Sequence, residues 1–129
     1  ESVAVDAALA DVSADDFDAL LLPGGQMNPD ILRMESAAVA LVTAFAAAKK
    51  PIAAICHGPW LLVEAGVVAG RTVTGWPSIR TDLKNAGAKV VDREVAVDGN
   101  LITSRKPEDI PAFSAALIEA LAKAPRPAV

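Results

Sequence analysis

The chain has 129 residues, is 53% apolar and carries a formal charge of −4 at neutral pH. That length fits one domain with a sizeable core, and the apolar content excludes a disordered chain. The negative balance, with no basic stripe, argues against a nucleic-acid partner, and a single cysteine excludes an internal disulfide or a multi-cysteine zinc site.

In chain order, residues 3–6 are short and weakly β-prone. Ser13-Ala14-Asp15-Asp16 reads as the start of a helical turn with acid in its first turn. Residues 19–22 form an apolar strand halted by Pro23-Gly24-Gly25, and an unbroken apolar run predicts burial on both faces. Pro29-Asp30 opens a short helical turn. Residues 35–49 predict a helix with Ala38, Leu41, Val42 and Phe45 on one face and Lys49-Lys50 where the dipole favours cations. Pro51 ends it, and IAAI is the next buried strand.

A helix follows from His57-Gly58 to about Ala65, stopped by Gly66. Residues 71–74 read as a third short strand, residues 77–85 as a helix stopped by Gly87, and KVV and EVAV-DGN-LIT as strands with a hairpin turn at Asp98-Gly99. Residues 107–123 predict the last helix, with Ile110, Phe113, Leu117 and Leu121 sharing a face, and APRPAV is a loose tail. The alternation implies an α/β fold with a mostly parallel sheet. About three parallel strands and a hairpin are fewer than a doubly wound sheet usually holds, so an amino-terminal βαβ unit is expected to be missing.

The apolar run at residues 37–48 is too short to span a bilayer, and Glu1-Ser2 opens no signal peptide. A free thiol suits a reducing compartment. The expectation is a soluble cytoplasmic protein with no membrane partner.

Cys56 follows a predicted strand and precedes a predicted helix, with Ala54 and Gly58 at the small-residue offsets of a nucleophile elbow. Backbone N–H groups at a helix start stabilise a thiolate and can hold an oxyanion. Gly24-Gly25 follows the neighbouring strand and offers a second set of donors, or is merely a turn. His57 is the chain's only histidine. Neighbours on a helix do not face each other, so its ring must leave the first turn sideways to cover the thiol, and an acid would orient it. Asp30 is a candidate by residue type.

Each residue has a plainer reading. Cys56 is otherwise a small buried hydrophobe, His57 a polar helix-start residue, and Asp30 a partner of the helix dipole. Trp60 and Trp76 are packing or pocket walls. Arg105 is a surface charge unless it faces substrate.

DALLLPGG, KPIAAICHGPWLLVEAGVVAGRTVTGWPSIRTDLKNAGAKVVD and VAVDGNLITSRKPEDIPAF resemble the ThiJ/PfpI family, and within it the PfpI-type intracellular peptidase branch. The resemblance runs from about Asp18 to the last helix. It implies a single domain of the class I glutamine amidotransferase-like type with a flavodoxin-like three-layer sandwich, lacking the family's first strand–helix unit and the glutamate that unit carries beside the cysteine. It implies Cys56 as nucleophile and His57 as its partner. Gly24, Gly25, His57, Gly58 and Trp60 then line the oxyanion and substrate site. The acid after the Pro-Gly-Gly loop, here Asp30, is expected to reach the histidine of a neighbouring subunit in a homo-oligomer, a dimer or hexamer. The implied substrates are small reactive carbonyls or glycated protein adducts, with peptides ranked lower, and no cofactor is implied. The competing expectation is an oxidative-stress sensor or chaperone whose cysteine oxidises without turnover.

Overall fold

A computed structural model describes residues 2–123. The tail expected at 124–129 lies outside the described residues. Among the described residues, those before Leu9 form no strand. Val3 and Val5 are 92% and 83% exposed, because a β-prone segment with no neighbouring strand has nowhere to place its hydrogen bonds. The expected turn then forms as a 3-10 turn, Ala14–Asp16. Ser13 caps it, its hydroxyl accepting from the Asp15 amide while its own amide donates to Asp16 Oδ2.

β1 (Leu20–Leu22) and β2 (Ile52–Ile55) pair in parallel, Leu22 opposite Ala54. Between them lie α1 (Met27–Leu32) and α2 (Ser36–Ala47). α1 starts two residues before Pro29. After β2 come α3 (Pro59–Glu64), β3 (Thr72–Val73), a 3-10 turn Pro77–Ile79 and α4 (Arg80–Asn85). Then follow β4 (Lys89–Val90), β5 (Ala96–Asp98), β6 (Leu101–Ser104), a 3-10 turn Pro107–Asp109 and α5 (Ile110–Lys123).

The main sheet has the order β1-β2-β6-β5; β1, β2 and β6 are parallel and β5 returns antiparallel through the turn at Gly99, φ +58°. The third parallel strand is therefore β6, and the segment at 71–74 does not supply it. β3 pairs only with β4 in a separate ribbon, and is tied to β5 and β6 by its amides: Thr72 donates to Asp98 Oδ2 and Thr74 to Thr103 Oγ1.

All of β2 is buried. Its alternate residues face two different cores, as strand geometry requires. Ile52 and Ala54 join Val42, Phe45, Leu62 and Leu101 beneath α2, α3 and α4. Ala53 and Ile55 join Ile102 and Phe113 beneath α5. The molecule is thus an α/β three-layer sandwich, and the two alanines let helices approach β2 closely.

Two apolar expectations give way. Leu21, on the outer strand of the sheet, is 52% exposed, so β1 is not covered on both faces. Of the expected α5 face only Phe113 is buried, while Ile110 and Leu121 stand out. No helix among the described residues is long and apolar enough to cross a membrane.

Candidate active site

β2 ends at Ile55, and the chain turns sharply at Cys56, whose φ is +65°. Among the described residues only Lys49 shares this left-handed conformation without being glycine. Such a backbone costs a non-glycine residue about 1–3 kcal/mol and persists only where its surroundings enforce it. Here the enforcement is visible. The Cys56 amide donates to the Ser104 carbonyl at 3.1 Å, and its carbonyl accepts from the Trp76 amide at 2.8 Å. The Gly58 amide closes the turn on the Ile55 carbonyl at 2.9 Å.

Two glycines make room for the turn. A β-carbon on Gly58 would lie 2.6 Å from the Leu22 carbonyl oxygen and 2.9 Å from that of Ile55. A β-carbon on Gly24 would lie 2.7 Å from Cys56 Cβ and 3.3 Å from its Sγ. Gly24, just past the end of β1, therefore presses against the cysteine, while Gly25 (φ +84°) has open space beside it. Gly58 contributes by its small size, since its amide is already committed to the turn. Among the described residues the amides of Gly24, Gly25 and His57 meet no hydrogen-bond acceptor.

The thiol is half-buried and unbridged. His57 lies before α3 begins, so the helical rule separating neighbours does not apply, and its Nδ1 comes within 3.4 Å of Cys56 Sγ. Two indoles confine the imidazole, Trp60 edge-on at 5.0 Å and Trp76 stacked at 5.9 Å. The ring is only 7% exposed, and burial pushes its pKa below the ordinary 6.5, favouring the neutral base. Trp60 is held in turn by a 2.9 Å bond from its Nε1 to Asp82 Oδ2 and by the Arg33 guanidinium 5.5 Å over its ring.

Asp30 does not join them within the chain. It sits exposed on α1, and the second imidazole nitrogen, Nε2, faces Ser78 Oγ at 3.4 Å instead. Ser78 carried no signal in the sequence, because a serine after a proline in a surface turn is ordinary turn chemistry. Arg105 is also placed elsewhere than on a substrate. Its backbone amide, Nε and side-chain NH2 donate to Asp109, and its other terminal nitrogen donates to Asp92, which also receives Arg80. This network clamps the end of β6, whose last carbonyl holds the Cys56 amide. Among the described residues no three His, Cys, Asp or Glu side chains converge as a metal site would require.

The sequence profile of the DJ-1/PfpI family matches residues 1–120. General stress protein 18 of Bacillus subtilis is 54% identical over 121 residues, covering 91% of this chain and 70% of that protein. The Pyrococcus furiosus protein named Deglycase PfpI is 44% identical over 120 residues, covering 93% of this chain and 72% of its own length. The solved structure of Drosophila melanogaster DJ-1beta superposes with a TM-score of 0.87 at 36% identity, over 95% of this chain and 66% of that one.

Proposed function

Because the chain belongs to the DJ-1/PfpI family, we propose that it is a deglycase-like enzyme in which Cys56 adds to a small reactive aldehyde or to a glycated protein adduct. The observation that carries this reading is the thiol itself, held at a strained turn with a neutral, desolvated imidazole nitrogen 3.4 Å away. The name of the Pyrococcus furiosus relative points the same way.

In this reading His57 Nδ1 takes the thiol proton and sulfur bonds to the aldehyde carbon. The carbonyl electron pair moves to oxygen, which receives the proton from His57 and gives a hemithioacetal. The amides of Gly24, Gly25 and His57 are the candidate donors to the transient oxyanion. For methylglyoxal, net addition of water then yields lactate. The aldehyde carbon is oxidised and the adjacent ketone carbon reduced, so no external oxidant or cofactor enters. For a glycated adduct the amine is the group released. Peptide hydrolysis ranks lower, since it demands protonation of a poor leaving group as well as a binding groove. Trp60 and Trp76 form the walls beside the imidazole.

Asp30 is spaced along the chain with Met27, Ile31 and Met34, which are 73%, 47% and 76% exposed on α1 and just beyond its end. The proposal sets this face against a second copy of the chain, with Asp30 contributing to the other copy's site.

Methylglyoxal turnover by the native chain, abolished in Cys56→Ala, is the test, and turnover that survives the substitution rejects the reading. The stress-protein name of the Bacillus subtilis relative favours a second reading, an oxidisable sensor. Its signature would be two oxygens gained at Cys56 under mild peroxide in a chain that turns over no aldehyde.

A further inference from the structure

We propose that Ser78 is a positioning residue of His57, accepting from the imidazole nitrogen turned away from the thiol; the inference rests on Cys56 and His57 acting as nucleophile and base. The imidazole has two nitrogens and both are engaged: Nδ1 with Cys56 Sγ and Nε2 with Ser78 Oγ, each at 3.4 Å. The contact with sulfur is of ordinary length for so large an atom, whereas that with oxygen is long, as catalytic hydrogen bonds often are before substrate binds. Among the described residues no carboxylate oxygen bonds either nitrogen.

The proton inventory determines what the hydroxyl must do. For Nδ1 to accept the thiol proton it must be bare, so the neutral ring carries its hydrogen on Nε2. That hydrogen points at Ser78 Oγ, which accepts it. After proton transfer Nδ1–H faces the thiolate, and Nε2–H still donates to the same oxygen. One neutral acceptor therefore serves the ring before and after the step without moving. A hydroxyl donating to Nε2 would instead place the ring proton on Nδ1 and leave no base beside sulfur. A serine also suits the buried ring electrostatically. A neutral hydroxyl adds no charge beside the ring and so leaves intact the downward shift that burial imposes.

Ser78 is well placed to hold a ring still. It sits in the 3-10 turn Pro77–Ile79, between the fixed backbone of Pro77 and Ile79, whose side chain is fully buried. The residue before the turn donates its amide to the Cys56 carbonyl, so the hydroxyl and the elbow belong to one hydrogen-bonded unit. The hydroxyl itself is on an exposed residue, which frees its own proton for water or for a carboxylate arriving from a second copy.

The test uses the full chain, methylglyoxal as the probe substrate, and 15N-labelled protein. Ser78→Ala should lower kcat about tenfold with KM within about twofold, the scale of one net hydrogen bond in the transition state. Ser78→Thr, which keeps the hydroxyl, should recover most of the loss. Since the chain has one histidine, its ring nitrogens can be read without ambiguity. The native protein should have Nε2 protonated and Nδ1 bare, with a hydrogen-bonded Nε2–H proton that exchanges faster in Ser78→Ala. A native ring protonated on Nδ1, or a Ser78→Ala protein with native kcat, overturns the inference. If the native chain turns over no methylglyoxal, the reading of Cys56 as a nucleophile fails. The tautomer and the exchange rate of Nε2–H then still decide whether Ser78 holds the ring, and an exchange rate unchanged in Ser78→Ala counts against it.

Discussion

Nδ1 of His57 lies 3.4 Å from Sγ of Cys56 although the two residues are adjacent in sequence. The left-handed turn at Cys56 and the start of α3 only at Pro59 bring the two side chains to the same side. The contact places an imidazole nitrogen beside a thiol without any long-range pairing, and burial favours the neutral ring.

A pH dependence follows. The folded ring titrates below its ordinary value near 6.5, so it stays a base to lower pH than a free imidazole. The acid limb of kcat/KM for methylglyoxal should therefore lie below pH 6.5. Between the lowered value and 6.5 the unfolded chain binds a proton that the folded chain does not, so stability should rise with pH across that window. The stability slope should disappear in His57→Gln. An acid limb above pH 6.5 would mean that the ring is not desolvated in solution.

Gly24→Ala tests how tightly β1 presses on the elbow. Its new β-carbon would meet Cys56 Cβ at 2.7 Å, and either the cysteine or the Pro-Gly-Gly loop must shift. A displacement of about 1 Å at a reacting group costs about a hundredfold in rate, and overpacking of this kind costs about 1–3 kcal/mol of stability. Gly58→Ala should be worse for stability, because its contacts at 2.6 and 2.9 Å are with backbone oxygens that cannot rotate away. Denaturant titration and methylglyoxal kinetics on the two variants settle the order; near-native behaviour of either would show a softer turn than described.

The strain at Cys56 has its own measurable consequence. Cys56→Ala and Cys56→Gly both remove the thiol, but only glycine adopts φ +65° without steric cost. Glycine is normally the less stable of the two by about 0.5–1 kcal/mol in regular structure. Here the order should invert, with Cys56→Gly more stable than Cys56→Ala by about 1 kcal/mol. Both should be inactive. The ordinary order in urea unfolding would argue that the turn relaxes once the thiol is gone.

Asp109 is 2% exposed and receives three bonds from Arg105. These bonds, led by the side-chain contact with Arg105, hold its carboxyl below the usual carboxylate range. A depressed folded value means stability present above the ordinary carboxylate pKa and lost as pH falls through the folded value. Asp109→Asn should lower Tm by about 5 °C at neutral pH and flatten the acid-induced loss below pH 4. Since the network clamps β6, whose carbonyl holds the Cys56 amide, some activity should go with it. Identical acid unfolding of variant and native chains would remove Asp109 from the account.

Much of the architecture was legible because it is written locally. IAAI is a buried run bounded by proline and the elbow, and it appears as β2 at those residues. The Ser13 cap, the Asp98-Gly99 turn and the proline-led last helix carry their chemistry within four residues. The short strand read at residues 71–74 forms as β3, but the sequence could not say which sheet it joins, because strand partnership is decided by what lies alongside. Val73 finds Val90, while β2 finds Leu101–Ser104, 49 residues further along the chain. The shared face expected on α5 was likewise only partly buried, since periodicity names a face and the neighbouring layer decides how much of it is covered.

The candidate site divides along the same line. The residues from Ile55 to Gly58 specify by themselves a strand, a tight turn and a histidine next to a cysteine, since small side chains are what such a turn tolerates. They do not specify which nitrogen meets sulfur, what lies behind the other nitrogen, or how strongly the ring is desolvated. Those came from Trp60 on the following helix and from Ser78, Trp76 and Gly24, residues brought in from other loops by the pairing of β1 with β2 and the packing of α3 and α4. Local covalent geometry and residue size are written in consecutive residues; hydrogen-bond partnership and burial depend on atoms distant in the chain, and only the folded chain brings them within reach.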